Sequence, residues 1–540
     1  APISDLEVKM CRIWEEVLGL DRVGVTDNFF RIGGNSILAI KLVGLLNIKL
    51  QIQLKVKDIF DCKNISKLSL HALNSNNKFK YKDYIIKPDK RNLYKPFNLT
   101  NVQQAYLYGR LSNFEMGNIS THGYSELLFS EFDVIKFERA LNILIDRYDT
   151  LRIIFVNDQQ TVLENTPSYN IIDHGEIRSD QIESIRNRLS HKIYDVSKWP
   201  LFDFEISYCE SKYSLHMSFD GLIMDGSSMG IFFNQLSLLY NSFDINYINM
   251  PQVDITFRDY ILALEKVRSS ELFEIAKQYW INKLSFYNFE AQLPMIVKPS
   301  DIKQPKFLRL TKTIDENIWN ELKQKANIYK VSLTTVVLYI YGQVLTKYSG
   351  SSRFCINLTL FNRLPLHEQV NNILGDFTVL ELFNFDQTEL TNNIANDIRF
   401  NHEKLWDDIE HNLFDGVDFQ RLVRKECHIR ETQSLSPIVL TSVLGNKDSE
   451  PKLKGYIGSG YSITQTSQVY LDNKAYETSE GFVAEWDYVE QLFDSEVISS
   501  MHKAYCDLIE YLAESDWEEK LPELILPELD RSIIESANGY

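Results

Sequence analysis

The apolar residues of this chain keep a helical period over their first seventy positions and then, from residue 97, switch repeatedly between helix and strand periods. Leu6, Met10, Ile13, Trp14, Val17 and Leu18 recur at a spacing that buries one face of a helix over 4–18. Gly19 closes it, a second apolar helix is predicted from about Ser36 to Leu46, and shorter ones near 56–61 and 65–73. Further on, Tyr213, Leu215, Met217 and Phe219 alternate with polar residues, as do Phe482, Ala484 and Trp486. That is the signature of strands with one buried face. Helices are predicted over 134–147, 270–284, 317–326 and 496–513. The expected architecture is an all-α unit at 1–75 followed by an α/β (α+β) unit at 96–515. Residues 76–95, rich in Asn, Lys, Tyr and Pro, read as a linker or as a segment laid along a surface by its tyrosines. Residues 516–540, with Leu521-Pro522 and Leu526-Pro527, read as an exit linker.

Composition narrows the function classes. With 44% hydrophobic and 12% aromatic residues the 540-residue chain can bury sizeable cores. A net charge of −17 argues against nucleic acid or an anionic membrane surface as partner. Cys11, Cys62, Cys209, Cys355, Cys427 and Cys506 form no CxxC pair. Neither a zinc site nor a disulfide framework is expected, and reduced thiols fit a cytoplasmic protein. No signal peptide and no membrane-spanning apolar run is present. The chain opens on Ala1-Pro2 and both ends read as cut edges, so a piece of a larger protein is expected.

The string Asp27-Asn28-Phe29-Phe30-Arg31-Ile32-Gly33-Gly34-Asn35-Ser36 stands just before the second helix. Two glycines permit a tight turn. Ser36 then falls at a helix N-terminus, where free N–H groups and the helix dipole favour an anion such as a phosphodiester. An isolated serine there would be a plain N-cap. The whole string, with Trp14 and the helical spacing, resembles the signature of peptidyl carrier domains, which implies that Ser36 bears 4′-phosphopantetheine. Such a domain performs no chemistry and raises the local concentration of a tethered acyl group.

A second set of motifs follows in order. Phe97-Asn98-Leu99-Thr100-Asn101-Val102-Gln103-Gln104-Ala105-Tyr106-Leu107-Tyr108-Gly109-Arg110 resembles the opening motif of nonribosomal peptide synthetase heterocyclization domains, a branch of the condensation superfamily. Thr100 also reads as an N-cap. In Phe219-Asp220-Gly221-Leu222-Ile223-Met224-Asp225-Gly226, ordinary condensation domains carry two histidines where Asp220 and Gly221 stand. Asp220 and Asp225 match the DxxxxD of heterocyclization domains. These carboxylates could do acid/base work or serve the scaffold, and scaffolding is favoured, with Arg363 of Phe361-Asn362-Arg363 as partner of Asp225. Gly375-Asp376-Phe377-Thr378, Ser436-Pro437-Ile438-Val439-Leu440-Thr441-Ser442 and Gln465-Thr466-Ser467-Gln468-Val469-Tyr470-Leu471-Asp472, completed by Trp486-Asp487, resemble further family motifs. Tyr148, Asn98 and Ser467 depart from them.

The resemblance implicates Thr441, Asp472 and Asn362 in cyclodehydration. Gln468, Tyr470 and Asp472 are expected on one face of a strand around 468–472, with Asp472 toward a cavity. A carboxylate whose pKa is raised by burial can remove and return a proton, and Thr441 can orient it; taken alone, Thr441 is an ordinary strand residue. The resemblance implies two chloramphenicol-acetyltransferase-like lobes, 96–265 and 266–515, with a tunnel between. It implies that the carrier holds a donor thioester, which is condensed with a tethered Cys, Ser or Thr and cyclodehydrated to a thiazoline or oxazoline. The implied partners are an upstream adenylation domain, downstream adenylation and carrier domains, and a phosphopantetheinyl transferase. The alternatives are amide formation only, or a non-catalytic docking platform for tethered intermediates.

Overall fold

The computed structural model describes residues 2–34, 36–74, 79–112, 114–242, 250, 252–289, 293–430, 432–444 and 451–537; within these, the side chains of residues 36, 37, 528, 529 and 535–537 are not described. The N-terminal region is helical: α1 (Asp5–Leu18), α2 (Ser36–Leu50), α3 (Val56–Cys62) and α4 (Ile65–Asn74). Ser4 and Glu7 cap the start of α1 reciprocally, and Gly19 ends it at φ 65°. Met10, Ile13, Trp14 and Val17 point inward, with Trp14 edge-on to Phe29 at 5.1 Å, against Leu42, Leu46, Ile65 and Leu68.

From residue 97 the chain is mixed α/β. Its strands are β1 (Phe97–Asn98), β2 (His122–Phe129), β3 (Ile153–Val156), β4 (Gln159–Val162), β5 (Ile172–Glu176), β6 (Phe202–Cys209), β7 (Lys212–Asp220), β8 (Phe307–Asp315), β9 (Arg353–Phe361), β10 (Thr378–Asp386), β11 (Ile438–Val443), β12 (Tyr456–Gln465), β13 (Leu471–Thr478) and β14 (Gly481–Val489). Its helices are α5 (Asn101–Tyr108), α6 (Val134–Arg147), α7 (Ser179–Ser190), α8 (Gly226–Asn241), α9 (Phe257–Arg268), α10 (Glu271–Lys283), α11 (Glu316–Tyr329), α12 (Leu333–Ser349), α13 (Ile394–Glu410), α14 (Gly416–Glu426), α15 (Ser495–Glu514) and α16 (Glu528–Ala537). Thr100 caps α5 reciprocally with Gln103.

Among the described residues, one sheet runs β10-β9-β11-β13-β14-β8 and another β12-β2-β7-β6-β5, with β1-β4-β3 as a small third. β11 pairs parallel with both β9 and β13. β12 leaves the sheet of its chain neighbours and pairs with β2, stitching the two halves together. One core lies around α12 and α15 behind the six-stranded sheet, another around α6, α8 and the five-stranded sheet. No single described helix is long and apolar enough to cross a membrane.

Three expectations change. β7 and β14 bury both faces. Each is an interior strand, and the polar side chains of β7 find partners inside: Ser218 with His122 and Tyr194, His216 with Tyr124 and Ser207. Hydrogen bonding removes the cost of burying that polar face. Second, the described part of the 76–95 segment is pinned: Phe79, Tyr81 and Ile86 join the core, and the Ile86 N–H donates to Leu366 O at 2.8 Å. Third, the described part of 516–540 is not a free exit linker. Trp517 and Ile534 join the core of the six-stranded sheet, and Tyr348 donates to Asp530 at 3.1 Å. Apolar residues flanking the two prolines outweigh the turn chemistry that suggested a linker.

Candidate active site

The six-stranded sheet presents a polar face. Thr441 on β11 and Asp472 on β13 lie two register positions apart, on the same face, because Val439 pairs with Asp472 and Thr441 with Lys474. The Thr441 hydroxyl donates to Asp472 Oδ1 at 3.0 Å and also meets Thr359 Oγ1 on β9 at 3.3 Å. Asp487 on β14 is opposite Asp472, and Arg309 on β8 opposite Asp487. Arg309 grips Asp487 through two bonds of 2.6 and 2.7 Å, and Lys474 adds a third at 2.5 Å. Those cations hold Asp487 well below the usual carboxylate range despite its burial. Asp472 keeps some accessible surface but is enclosed by protein. Burial pushes it up to about 6, opposed by Lys474 and reinforced by the charge of Asp487. Two aspartates on one wall thus have different protonation behaviour: Asp472, near neutrality, is bonded to Thr441, whereas Asp487 is held by two cations and also accepts from the Thr464 hydroxyl at 2.7 Å.

The expected strand at 468–472 begins only at Leu471. Gln468 stands at φ 63° in a turn, and the Ser434 hydroxyl donates to its carbonyl. Asp472 therefore shares its face with Lys474 and Tyr476 rather than with Gln468 and Tyr470, since strand side chains alternate.

Asp220 and Asp225 are fully committed to bonds. Arg110 donates to both oxygens of Asp220 at 2.7 Å, and the Leu222 N–H donates at 3.0 Å. Asp225 caps α8 by accepting from Ser228 N at 2.6 Å and accepts from Phe377 N at 3.0 Å. Arg363 Nη2 lies 3.7 Å from Asp225 Oδ1, donates to Ser228 Oγ at 2.8 Å, and donates through Nη1 to the carbonyls of Val370 and Ile373 at 2.7 Å. The nearest histidine in strand register, His122 opposite Asp220, is buried, bonded to Ser218, and held down to about 3 by desolvation. Asp225→Ala leaves the Ser228 and Phe377 N–H groups without their acceptor and Arg363 without its counter-charge, and Arg363→Ala leaves Asp225 a buried charge with no cation and the Val370 and Ile373 carbonyls without that donor. Each variant is expected to lose about 3–5 kcal/mol of stability. Urea denaturation checks it; a change within about 0.5 kcal/mol together with lost activity would assign Asp225 a chemical role.

Asn362 directly follows β9 and donates to Asn412 Oδ1 at 3.1 Å, rather than meeting Thr441 or Asp472. It lines a cavity of about 110 Å³ with Asp376, Thr378 and Asp415. Two groups here carried no assigned role in the sequence reading. Burial raises the Tyr106 hydroxyl well above its ordinary value, the charges of Asp376, Asp225 and Asp472 add to this, and its bond to Thr378 opposes it. Asp376 accepts from Thr378 N at 3.1 Å while its Oδ2 is buried without a partner. Burial, opposed by Thr378 and reinforced by Asp225, pushes Asp376 up to about 8 from 3.8. Both residues stand inside quoted motifs, which was the available signal. A raised folded-state pKa means that stability is complete below pH 3.8 and is lost as pH rises toward about 8. Asp376→Asn mimics the protonated acid, so the fall in stability between pH 5 and pH 8 is expected to shrink. An unchanged pH dependence in chemical denaturation would contradict this.

In the N-terminal helical region, Gly33 adopts φ 105° and a Cβ on Gly34 would sit 2.4 Å from the Phe29 ring. A turn this tight delivers the chain into α2, which starts at Ser36. The Ser36 side chain lies outside the described residues. A serine at the N-terminus of a 15-residue helix behind a glycine turn fits a phosphodiester attachment point.

Comparison with known proteins places residues 97–530 in the family described as Condensation domain and residues 8–72 in that described as Phosphopantetheine attachment site. Bacitracin synthase 1 of Bacillus licheniformis is 33% identical over 94% of this chain, which covers 10% of that protein. Pyochelin synthetase PchF of Pseudomonas aeruginosa is 29% identical over 78% of this chain, covering 23% of its own length. The chain thus spans under a quarter of these relatives. Among solved structures, the EpoB cyclization-docking bidomain of Sorangium cellulosum superposes with a TM-score of 0.75 at 28% identity, covering 84% of this chain and 92% of that one.

Proposed function

The chain belongs to the condensation-domain family, with a phosphopantetheine-attachment domain ahead of it, and from that premise we propose that it is a heterocyclizing unit of a nonribosomal peptide synthetase. The observation that carries the reading is the Thr441–Asp472 pair on a polar sheet face, with no imidazole on the loop 219–226. In this reading residues 1–75 are the carrier, 76–95 a linker whose described part is packed, and 96–515 two chloramphenicol-acetyltransferase-like lobes divided near 265. Ser36 carries the phosphopantetheine, which when bound supplies a thiol to hold the donor acyl group. The likeness to a cyclization bidomain supports ring formation over simple amide formation.

The amine of a tethered Cys, Ser or Thr attacks the donor carbonyl, forming C–N and breaking C–S. Its side-chain thiol or hydroxyl then attacks the new amide carbonyl. Asp472, poised near neutrality, accepts that proton, and Thr441 holds the carboxylate in orientation. The former carbonyl oxygen leaves as water when Asp472 returns a proton and the nitrogen loses its own, giving the thiazoline or oxazoline. Asp220, Asp225 and Arg363 hold the loop between β7 and α8, while Asn362 shapes the neighbouring cavity. An upstream adenylation domain and a phosphopantetheinyl transferase load the carrier, and downstream adenylation and carrier domains present the acceptor.

Reconstitution tests the proposal. The loaded chain, supplied with a downstream carrier bearing cysteine, serine or threonine, is expected to release a product one water lighter than the linear amide. Linear amide alone with every acceptor supports the condensation-only reading; no joined product supports the docking-platform reading.

A further inference from the structure

Phe60, on α3, is 4% exposed yet stands outside the apolar core of the N-terminal helices. Its ring packs on Phe30 at 4.7 Å and, across the molecule, on His402 at 5.3 Å and Trp406 at 5.5 Å, both on α13. Polar contacts surround this anchor. Lys55 meets Glu410 at 2.6 Å, and Lys63 donates to the Asn327 carbonyl at 3.0 Å. The receiving surface is rigid: His402 Nδ1 accepts from Trp406 Nε1 at 3.2 Å and Ser332 N at 3.3 Å, and meets Thr335 Oγ1 at 3.2 Å, so the anchor site is bonded to the start of α12.

A cleft of about 460 Å³ opens beside this contact. Phe30, Gly33 and Gly34 form its carrier side, and Ser332, Leu333 and Leu444 its far side. Gly34 is two residues from Ser36, and Leu444 directly follows β11. Thr441 lies three residues back along that strand, about 10 Å at the usual rise.

The covalent connection is short. α4 ends at Asn74 and Phe79 is already in the core beyond it. Five residue steps span at most about 18 Å. The Lys80 N–H also donates to Gln53 Oε1 at 3.0 Å, tying the connector to the helices. A connection of this length holds the carrier near this surface, which keeps its effective concentration there high.

We propose that this contact is the delivery interface: Phe60 anchors the carrier between His402 and Trp406 and seats Ser36 over a cleft leading along β11 to Thr441 and Asp472, so that each carrier serves the site of its own chain. The inference rests on the carrier and donor roles proposed above and adds the surface through which they operate.

The test uses the full chain. Donor transfer from the loaded carrier is compared with transfer from a soluble acyl thioester given to the unloaded chain. The tethered-to-soluble ratio is expected to fall about tenfold in Phe60→Ala and in Trp406→Ala, the size of loss typical of a buried aromatic anchor. It is expected to fall about two- to fivefold in Glu410→Lys, and to recover when Lys55→Glu is added. Unchanged ratios in all three single variants would overturn the proposal. A second readout is independent of activity. Carbodiimide treatment of the unmodified chain is expected to join Lys55 to Glu410, with isotope-mixed samples showing the link within one chain. Absence of the link, or its appearance only between chains, overturns delivery in cis. Failure of cyclization with both donors, alongside an intrachain link, would instead refute the chemistry and leave the interface standing.

Discussion

Asp472→Asn and Thr441→Ala are expected to release linear amide in place of the heterocycle, with ring closure slowed by about 10²–10⁴-fold and amide formation much less affected. The two steps ask different things of the protein. Amide formation joins an activated thioester to an amine, and alignment alone supplies much of the acceleration. Ring closure attacks an amide, a poor electrophile, and must expel water, so it depends on a group that can take and return a proton. Asp472 is the carboxylate on this wall whose affinity for a proton lies near neutrality, at about 6, and Thr441 is bonded to it at 3.0 Å. The base must be deprotonated to act. Ring closure in the parent chain is therefore expected to fall as pH drops through about 6, and Asp472→Asn to lose that limb. Mass spectrometry of products from the downstream carrier, across pH 5 to 8, reads both effects. Equal loss of linear and cyclic products would place the pair in folding or condensation. Normal heterocycle yield from both variants would remove it from the mechanism.

Ser36→Ala is expected to abolish phosphopantetheine attachment altogether, and with it all product from a tethered donor. The reason is positional. The turn at Gly33 and Gly34 admits the chain to α2 at Ser36, and a helix N-terminus offers unpaired N–H groups to a phosphodiester. Incubation with coenzyme A and a phosphopantetheinyl transferase is expected to add one phosphopantetheine to the parent and none to the variant, by intact mass. Addition to Ser36→Ala would move the attachment point elsewhere. Soluble donor should still be processed by the variant, because the residues of the sheet face are untouched.

The sequence by itself determined the local units and the order of the motifs. Helical spacing predicted α1, α6, α10, α11 and α15 to within a few residues, because an amphipathic face and its caps are encoded within one or two turns. The motif strings singled out Ser36, Thr441 and Asp472 as the residues on which the proposed function rests. Tertiary structure alone decided who meets whom. Arg110 reaches Asp220 across 110 positions, β12 pairs with β2 rather than with its chain neighbours, and Phe60 finds His402 and Trp406 in another part of the fold. It also decided that Gln468 does not stand beside Asp472, since the strand starts only at Leu471 and the turn before it, with Gln468 at φ 63°, breaks the alternation. Periodicity records which face of an element is buried; it carries no record of the surface that covers it. Strand register and the search of each buried charge for a counter-charge are settled only when distant segments pack, and the proton affinity of Asp472 follows from that packing.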